Sequence, residues 1–190
     1  MLACCAALLL SLAALPGWWD GFTRSARVAS GFVQESESAV FGSIKKKGSL
    51  VVSKGGKIRV SYDDGLLLVA DGTHLVQYDP DARTAQRFDL RLARREAPIL
   101  GLLLDPGALG EHFEVLPSGA TGVRLKPRKP NLPVVELEGK GAVPTLLRWT
   151  DSTGARQLLR LTGPPGKLPA DPFRFDAPPG TRWIGAAPKP

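Results

Sequence analysis

The sequence predicts a mainly β protein, a single domain of antiparallel strands joined by tight turns, and three observations carry that reading. At 190 residues, 43% of them hydrophobic, the chain suits one domain with a real core and is cramped for two. Its 21 Gly and 17 Pro are spaced between short strand-like runs. Three successive turn signals, Lys54-Gly55-Gly56, Asp63-Asp64-Gly65 and Asp71-Gly72, sit among apolar residues that recur at every second position. No internal repeat of a repeat-protein period is present.

Taken in chain order, residues 2–15 (LACCAALLLSLAAL) form an uncharged apolar run followed by Pro16 and Gly17, the pattern of a secretory h-region and cleavage zone. The run is shorter than the ~20 residues that a membrane-spanning helix needs. No Lys or Arg precedes it. Three readings stay open: a signal peptide over residues 1–14 that leaves one domain at 15–190, a start further upstream, or a buried helix. Export is the expectation. Cys4 and Cys5 both lie in the run, so a cleaved chain has neither a disulfide nor a cysteine-based metal site, whereas an upstream start would revive a lipid-anchored cysteine.

Residues 18–34 carry Trp18, Phe22, Val28 and Phe32 near helical spacing, which predicts an amphipathic first helix. Strands are expected from about residue 41 to 90. The turn at 54–56 pairs Val52 with Ile58 and Leu50 with Val60, and the turn at 63–65 sets Tyr62 opposite Leu66. Asp71-Gly72 reads as a two-residue type I′ turn pairing Val69 with His74, Leu68 with Leu75 and Leu67 with Val76. Residues 97–104 (APILGLLL) are very apolar, and Pro98 suits the first turn of a short helix. A second β run follows through residues 112–125, 134–137, 146–149 and 157–161, with a hairpin loop at 151–154, and residues 172–175 and 182–184 close it.

Side chains alternate across a strand with a period of two. The registers above therefore put Leu50, Val52, Ile58, Val60, Tyr62, Leu66, Leu68 and Leu75 on one face, a continuous apolar wall. The opposite face carries Ser49, Val51, Ser53, Lys57, Arg59 and Ser61 and then turns apolar at Leu67, Val69 and Val76. Those three either meet a partner or lie under a neighbouring segment. The wall itself has two readings, the packed core of an ordinary domain or a surface that holds something greasy.

In this order the pieces resemble the outer-membrane lipoprotein carrier family, LolA. The matching residues are Gly31-Phe32-Val33-Gln34, Gly48-Ser49-Leu50, Val69-Ala70-Asp71-Gly72-Thr73-His74-Leu75 with Tyr78-Asp79-Pro80, and Ala97-Pro98-Ile99-Leu100. Asp151 with Gly154, and Pro172-Phe173-Arg174-Phe175 with Pro179-Gly180, complete the set. The resemblance implies an unclosed, strongly curved antiparallel β-barrel, a half-barrel whose concave side is covered by helices acting as a lid. It implies a periplasmic, monomeric chaperone that takes acylated lipoproteins from an inner-membrane ATP-driven lipoprotein exporter and delivers them to an outer-membrane lipoprotein receptor. The wall from Leu50 to Leu75 is then the candidate acyl-chain-binding surface, with Ile99, Leu100, Leu102 and Leu103 as candidate lid. A carrier of another acylated lipid and an outer-membrane-anchored lipoprotein acceptor are the alternatives.

Other function classes fit less well. The net charge of +7 resides outside the uncharged leader, in Lys45-Lys46-Lys47, Arg91 with Arg94-Arg95, and Lys126 with Arg128-Lys129. A nucleic-acid reading needs such clusters interleaved with exposed aromatics on a recognisable module, and none is present. Solvated strand edges explain them, with attraction to anionic lipid or an acidic partner as the second reading. His74 and His112 lack an ordered Ser or Cys partner, so no catalytic residue is expected. Two histidines without cysteine make no transition-metal site, and no cofactor is expected. The Asp pairs at 63–64 and 79–81 are explained by turn chemistry.

Overall fold

The structure, a computed structural model, describes residues 14–40, 42–96, 109–130 and 132–185. Helix α1 (Gly17–Arg24) leads into strands β1 (Arg27–Ser38), β2 (Gly42–Ser53), β3 (Lys57–Tyr62), β4 (Leu67–Asp71), β5 (His74–Asp79) and β6 (Thr84–Asp89). Helices α2 (Leu90–Glu96) and α3 (Leu109–His112) separate these from β7 (Phe113–Ser118), β8 (Gly122–Pro127), β9 (Val135–Lys140), β10 (Val143–Thr150), β11 (Arg156–Leu161) and β12 (Arg182–Ile184). All twelve strands join one sheet in the order β12-β6-β5-β4-β3-β2-β1-β11-β10-β9-β8-β7. The pairings are antiparallel except β12 beside β6. The sheet is not closed, and β12 and β7 are its edges. An open sheet of more than about ten strands curls rather than staying flat, which gives it an inner and an outer face.

The expected helix over 18–34 is corrected: α1 stops at Arg24, and Val28 to Gln34 belong to β1. A spacing of four is shared by the helical and the strand periods, so Val28 and Phe32 satisfy both. Ser25 ends the helix by donating its hydroxyl to the Gly21 carbonyl at 2.7 Å, meeting an acceptor that the helix leaves free. Trp18, Trp19 and Phe22 are buried on the inner face. Trp18 donates its indole N–H to the Thr121 carbonyl at 2.8 Å. Its ring lies over Gly139 of β9, where a Cβ would intrude on the indole atoms.

The turns at 54–56 and 63–65 give the expected registers: Leu50 pairs with Val60 and Val52 with Ile58, and the Tyr62 N–H donates to the Leu66 carbonyl at 2.9 Å. The third turn differs. Leu68 pairs with Gln77, Val69 with Val76 and Ala70 with Leu75. A type I′ turn needs positive φ at both central residues, but only Gly72, at +107°, has it. Asp71 instead accepts the N–H groups of Thr73 and His74 at 2.7 and 2.8 Å, which opens a wider loop. The partner strand slips by two residues, and a slip of two keeps every side chain on its face. The apolar wall survives the error.

Residues 172–175, expected to pair, are not a strand. They cross the outer face of β3 to β6, where Phe175 packs against Tyr78 and Trp183 at centroid distances of 5.8 and 5.9 Å. Arg59 reaches the Pro172 carbonyl at 3.4 Å. Val69 is 3% exposed, and together with Val76 it lines a 370 Å³ recess shared with Phe173, Phe175 and Trp183. The chain's own C-terminal segment thus accounts for the apolar patch on that side. Elsewhere the outer face is charged, with Lys45 of β2 and Glu35 of β1 at 2.8 Å and, on the other wing, Arg124 and Glu136 at 2.8 Å. Such solvated pairs contribute little stability each. Among the described residues no helix is long and apolar enough to cross a membrane.

Replacing Gly139 by Ala overfills the site under Trp18. The unfolding free energy in urea should fall by about 1–3 kcal/mol. Trp18→Ala, destabilising alone, should remove most of that extra loss in the double variant.

Candidate functional site

The inner face gathers one apolar cluster from both wings of the sheet. From β2 to β5 come Leu50, Val52, Ile58, Ala70 and Leu75, all buried, with Val60, Tyr62 and Leu68 half-buried against them. These wall residues are therefore a single surface, whereas Leu66, half-buried in the loop between β3 and β4, is not part of that cluster. The other half escaped the sequence reading: Phe32 on β1, Val115 on β7, Val123 and Leu125 on β8, Val135 and Leu137 on β9, Leu147 and Trp149 on β10, Leu159 and Leu161 on β11. Their signal was the same alternation, visible in Val135-Glu136-Leu137 and Val123-Arg124-Leu125. What hid them was the missing β1, which links the two runs.

Register explains how the wings meet. Phe32 lies opposite Leu161 on one side and Gly48 on the other, and Leu159 lies opposite Leu147. Gly48 is needed because Phe32 and Tyr62 close over it, ring centroids 5.3 Å apart and edge to face. A Cβ there would sit 2.9 Å from Phe32 Cζ and collide with the Ser61 carbonyl. Leu90 of α2 and Leu109 of α3 are both buried in the same cluster. Ile99, Leu100, Leu102 and Leu103 lie outside the described residues.

One margin of the inner face is polar. The Tyr62 hydroxyl donates to Gln34 Oε1 at 2.9 Å. Lys46 Nζ stands 5.5 Å from the Tyr62 ring centroid and 2.9 Å from Asp64. Burial, and after it the nearby Asp64 charge, pushes the Tyr62 hydroxyl pKa up, so it stays protonated and able to donate. Lys46, followed by the Leu66 N–H, holds the Asp64 carboxyl below its ordinary value. His74 on the outer face contacts Arg87 Nη2 through Nδ1 at 2.7 Å, and no nucleophile joins them in what the structure describes. Among the described residues no group of three or more His, Cys, Asp or Glu is placed to hold a metal ion.

Comparison with known proteins fits this geometry. Residues 24–176 match the family model described as outer membrane lipoprotein carrier protein LolA. The chain belongs to the LolA family. An outer-membrane lipoprotein carrier protein of Bordetella bronchiseptica is 28% identical over 192 aligned positions, covering 90% of this chain and 89% of its own. A protein of the same name from Pseudomonas fluorescens is 30% identical over 127 positions, covering 62% of this chain and 60% of its own. Among solved structures, an uncharacterized conserved protein from Thermus thermophilus superposes with a TM-score of 0.51 at 10% identity, covering 88% of this chain and 96% of its own, and attests the fold alone. The LolA assignment agrees with the mainly β, unclosed sheet expected from the sequence.

Acid titration has a defined sign here. The Thr153 hydroxyl bonded to it, with Gln157 and backbone N–H groups adding to the effect against burial, holds Asp151 below its ordinary value, and Asp64 is held low likewise. Groups whose folded pKa is depressed stabilise above the unfolded value and lose that contribution as pH falls through the folded one. The urea midpoint should hold between pH 5 and 7, as far as these groups decide it, and fall below about pH 4. Asp151→Asn should be less stable than the parent near neutrality, with the difference shrinking as acid is added.

Proposed function

We propose that the protein is a periplasmic, non-enzymatic carrier that shelters the acyl chains of lipoproteins released at the inner membrane and delivers them to an outer-membrane receptor. The observation that carries this reading is the apolar inner face shared by both wings of an unclosed sheet in a chain of the LolA family. Each acyl methylene left in water costs about 0.8 kcal/mol, so a lipidated protein leaves a membrane only if a comparable apolar surface replaces the bilayer. The wall of Leu50, Val52, Ile58, Val60, Tyr62, Leu66, Leu68 and Leu75 supplies that surface, joined by the β7 to β11 side chains. Leucines and valines on several strands bind without directional contacts, which suits a cargo that must be released again.

In this reading residues 1–14 are a signal peptide and residues 15–190 work as a monomeric domain. Ile99, Leu100, Leu102 and Leu103, the lid that the family resemblance implies, belong to this proposal as acyl-chain contacts. Loading comes from an ATP-driven exporter of the inner membrane.

The test is direct. Protein purified from periplasm without detergent should carry triacylated lipoprotein by mass spectrometry, whereas free fatty acid or glycolipid alone would point to a carrier of other lipids. Ile58 is 0% exposed, so a charge there endangers folding. Leu68 is half-buried and is the better probe. Leu68→Glu should fold and lose at least about tenfold in lipoprotein release from spheroplasts, because a carboxylate would have to be desolvated beside the chain. A folded Leu68→Glu variant with full release would remove this wall from the binding surface.

A further inference from the structure

The polar groups on the inner face form a directed chain that ends in a spare donor. Asp151 is a carboxylate and can only accept, so the 2.9 Å contact with its Oδ2 fixes Gln157 Nε2 on that side. The same amide nitrogen reaches Ser36 Oγ at 2.8 Å, which spends both of its protons. Gln157 Oε1 therefore points to Gln34 Nε2, at 3.5 Å. Gln34 Oε1 in turn accepts from the Tyr62 hydroxyl at 2.9 Å. Every amide orientation in the chain follows from the first.

The count at Gln34 leaves a surplus. Its Nε2 carries two protons, and among the described residues the only acceptor is Gln157 Oε1 at a distance where a hydrogen bond is weak. This donor sits where the apolar inner face meets its polar margin, for Gln34 lies opposite Leu159 on β11 and Lys46 on β2, two residues from Phe32. A half-buried amide proton without a protein acceptor is left to water, and an acceptor that displaces that water can take its hydrogen bond. An alkyl chain has none to offer. The carbonyl of an ester or amide at the head of an acyl chain has one, placed where the hydrocarbon ends.

We propose that Gln34, oriented by Tyr62 and Gln157, is a specificity site for the ester or amide carbonyl that joins an acyl chain to its carrier group. The proposal rests on the acyl-binding reading of the trough and adds selection by linkage to it. The shared chemistry is an acyl carbonyl, which a lipidated protein and a free glycerolipid both possess.

The probes are 1-oleoylglycerol and its 1-O-oleyl ether, equal in chain and lacking the carbonyl only in the second. The parent protein should bind the ester about fivefold more tightly, the worth of one ordinary hydrogen bond. In Gln34→Leu the ratio should fall to about one. Tyr62→Phe, which removes a single oxygen and keeps the ring packing, should lower it part-way and guards against misfolding of the first variant. Equal binding of ester and ether by the parent, or an unchanged ratio in both variants, overturns the proposal. Failure of the parent to bind either probe would sink the acyl-carrier reading as well. A diacylated lipopeptide and a phospholipid of matched chains, each against its ether analogue, separate the two sources: the source whose parent ratio exceeds one is the one selected, and no preference in either arm contradicts the site.

Discussion

Everything in this molecule depends on the pairing of β1 with β11. The chain builds two antiparallel meanders, β2 to β6 and β7 to β11, and β1 belongs to both because it pairs with β2 along one side and β11 along the other. The junction is reinforced at its end, where the Gly31 N–H donates to the Gly163 carbonyl at 2.8 Å and the Thr162 N–H returns to the Gly31 carbonyl at 2.9 Å. Without that seam there would be two small sheets, each with one apolar face and a long open edge, a state prone to pairing with other chains. With it there is one face, and the apolar residues of both wings become a single surface.

The division of labour between the faces follows from the same alternation. On the inner side most period-two positions are aliphatic or aromatic, with polar exceptions in the group from Tyr62 to Asp151 and at Ser30, Gln77 and Gln86. On the outer side the C-terminal segment covers Val69 with Phe175 and Trp183 over one wing, while crossed ion pairs keep the other wing wet. Two missing side chains make the inner packing possible: Gly48 lets Phe32 and Tyr62 meet across a strand, and Gly139 gives Trp18 its bed. The surface that would meet hydrocarbon is therefore assembled by aromatic rings closing over backbone, which fixes its walls and leaves half-buried residues such as Leu68 and Trp149 at its margin.

Much of this was legible in the sequence, and the exceptions have physical causes. Local turn chemistry gave the registers at Lys54-Gly55-Gly56 and Asp63-Asp64-Gly65, since those loops depend on their own residues. At Asp71-Gly72 the side chain of Asp71 capped two backbone N–H groups and widened the loop, a choice that the dipeptide does not announce. The face assignment survived because the slip was even. Residues 27–34 were misread as helix because Val28 and Phe32 fit either period, and the strand's real determinant is its partner, β11, more than a hundred residues away. Half of the candidate site was invisible for that one reason.

The central claim is that both wings line one acyl-binding trough. A lipopeptide bearing a photoactivatable group in its acyl chain, cross-linked to the protein and mapped by peptide mass spectrometry, tests it most directly. The account predicts labels on inner-face residues of both wings, such as Val60 and Leu68 on one and Val115 and Trp149 on the other. Labels confined to one wing, or falling on outer-face residues such as Val76 and Val134, would contradict it.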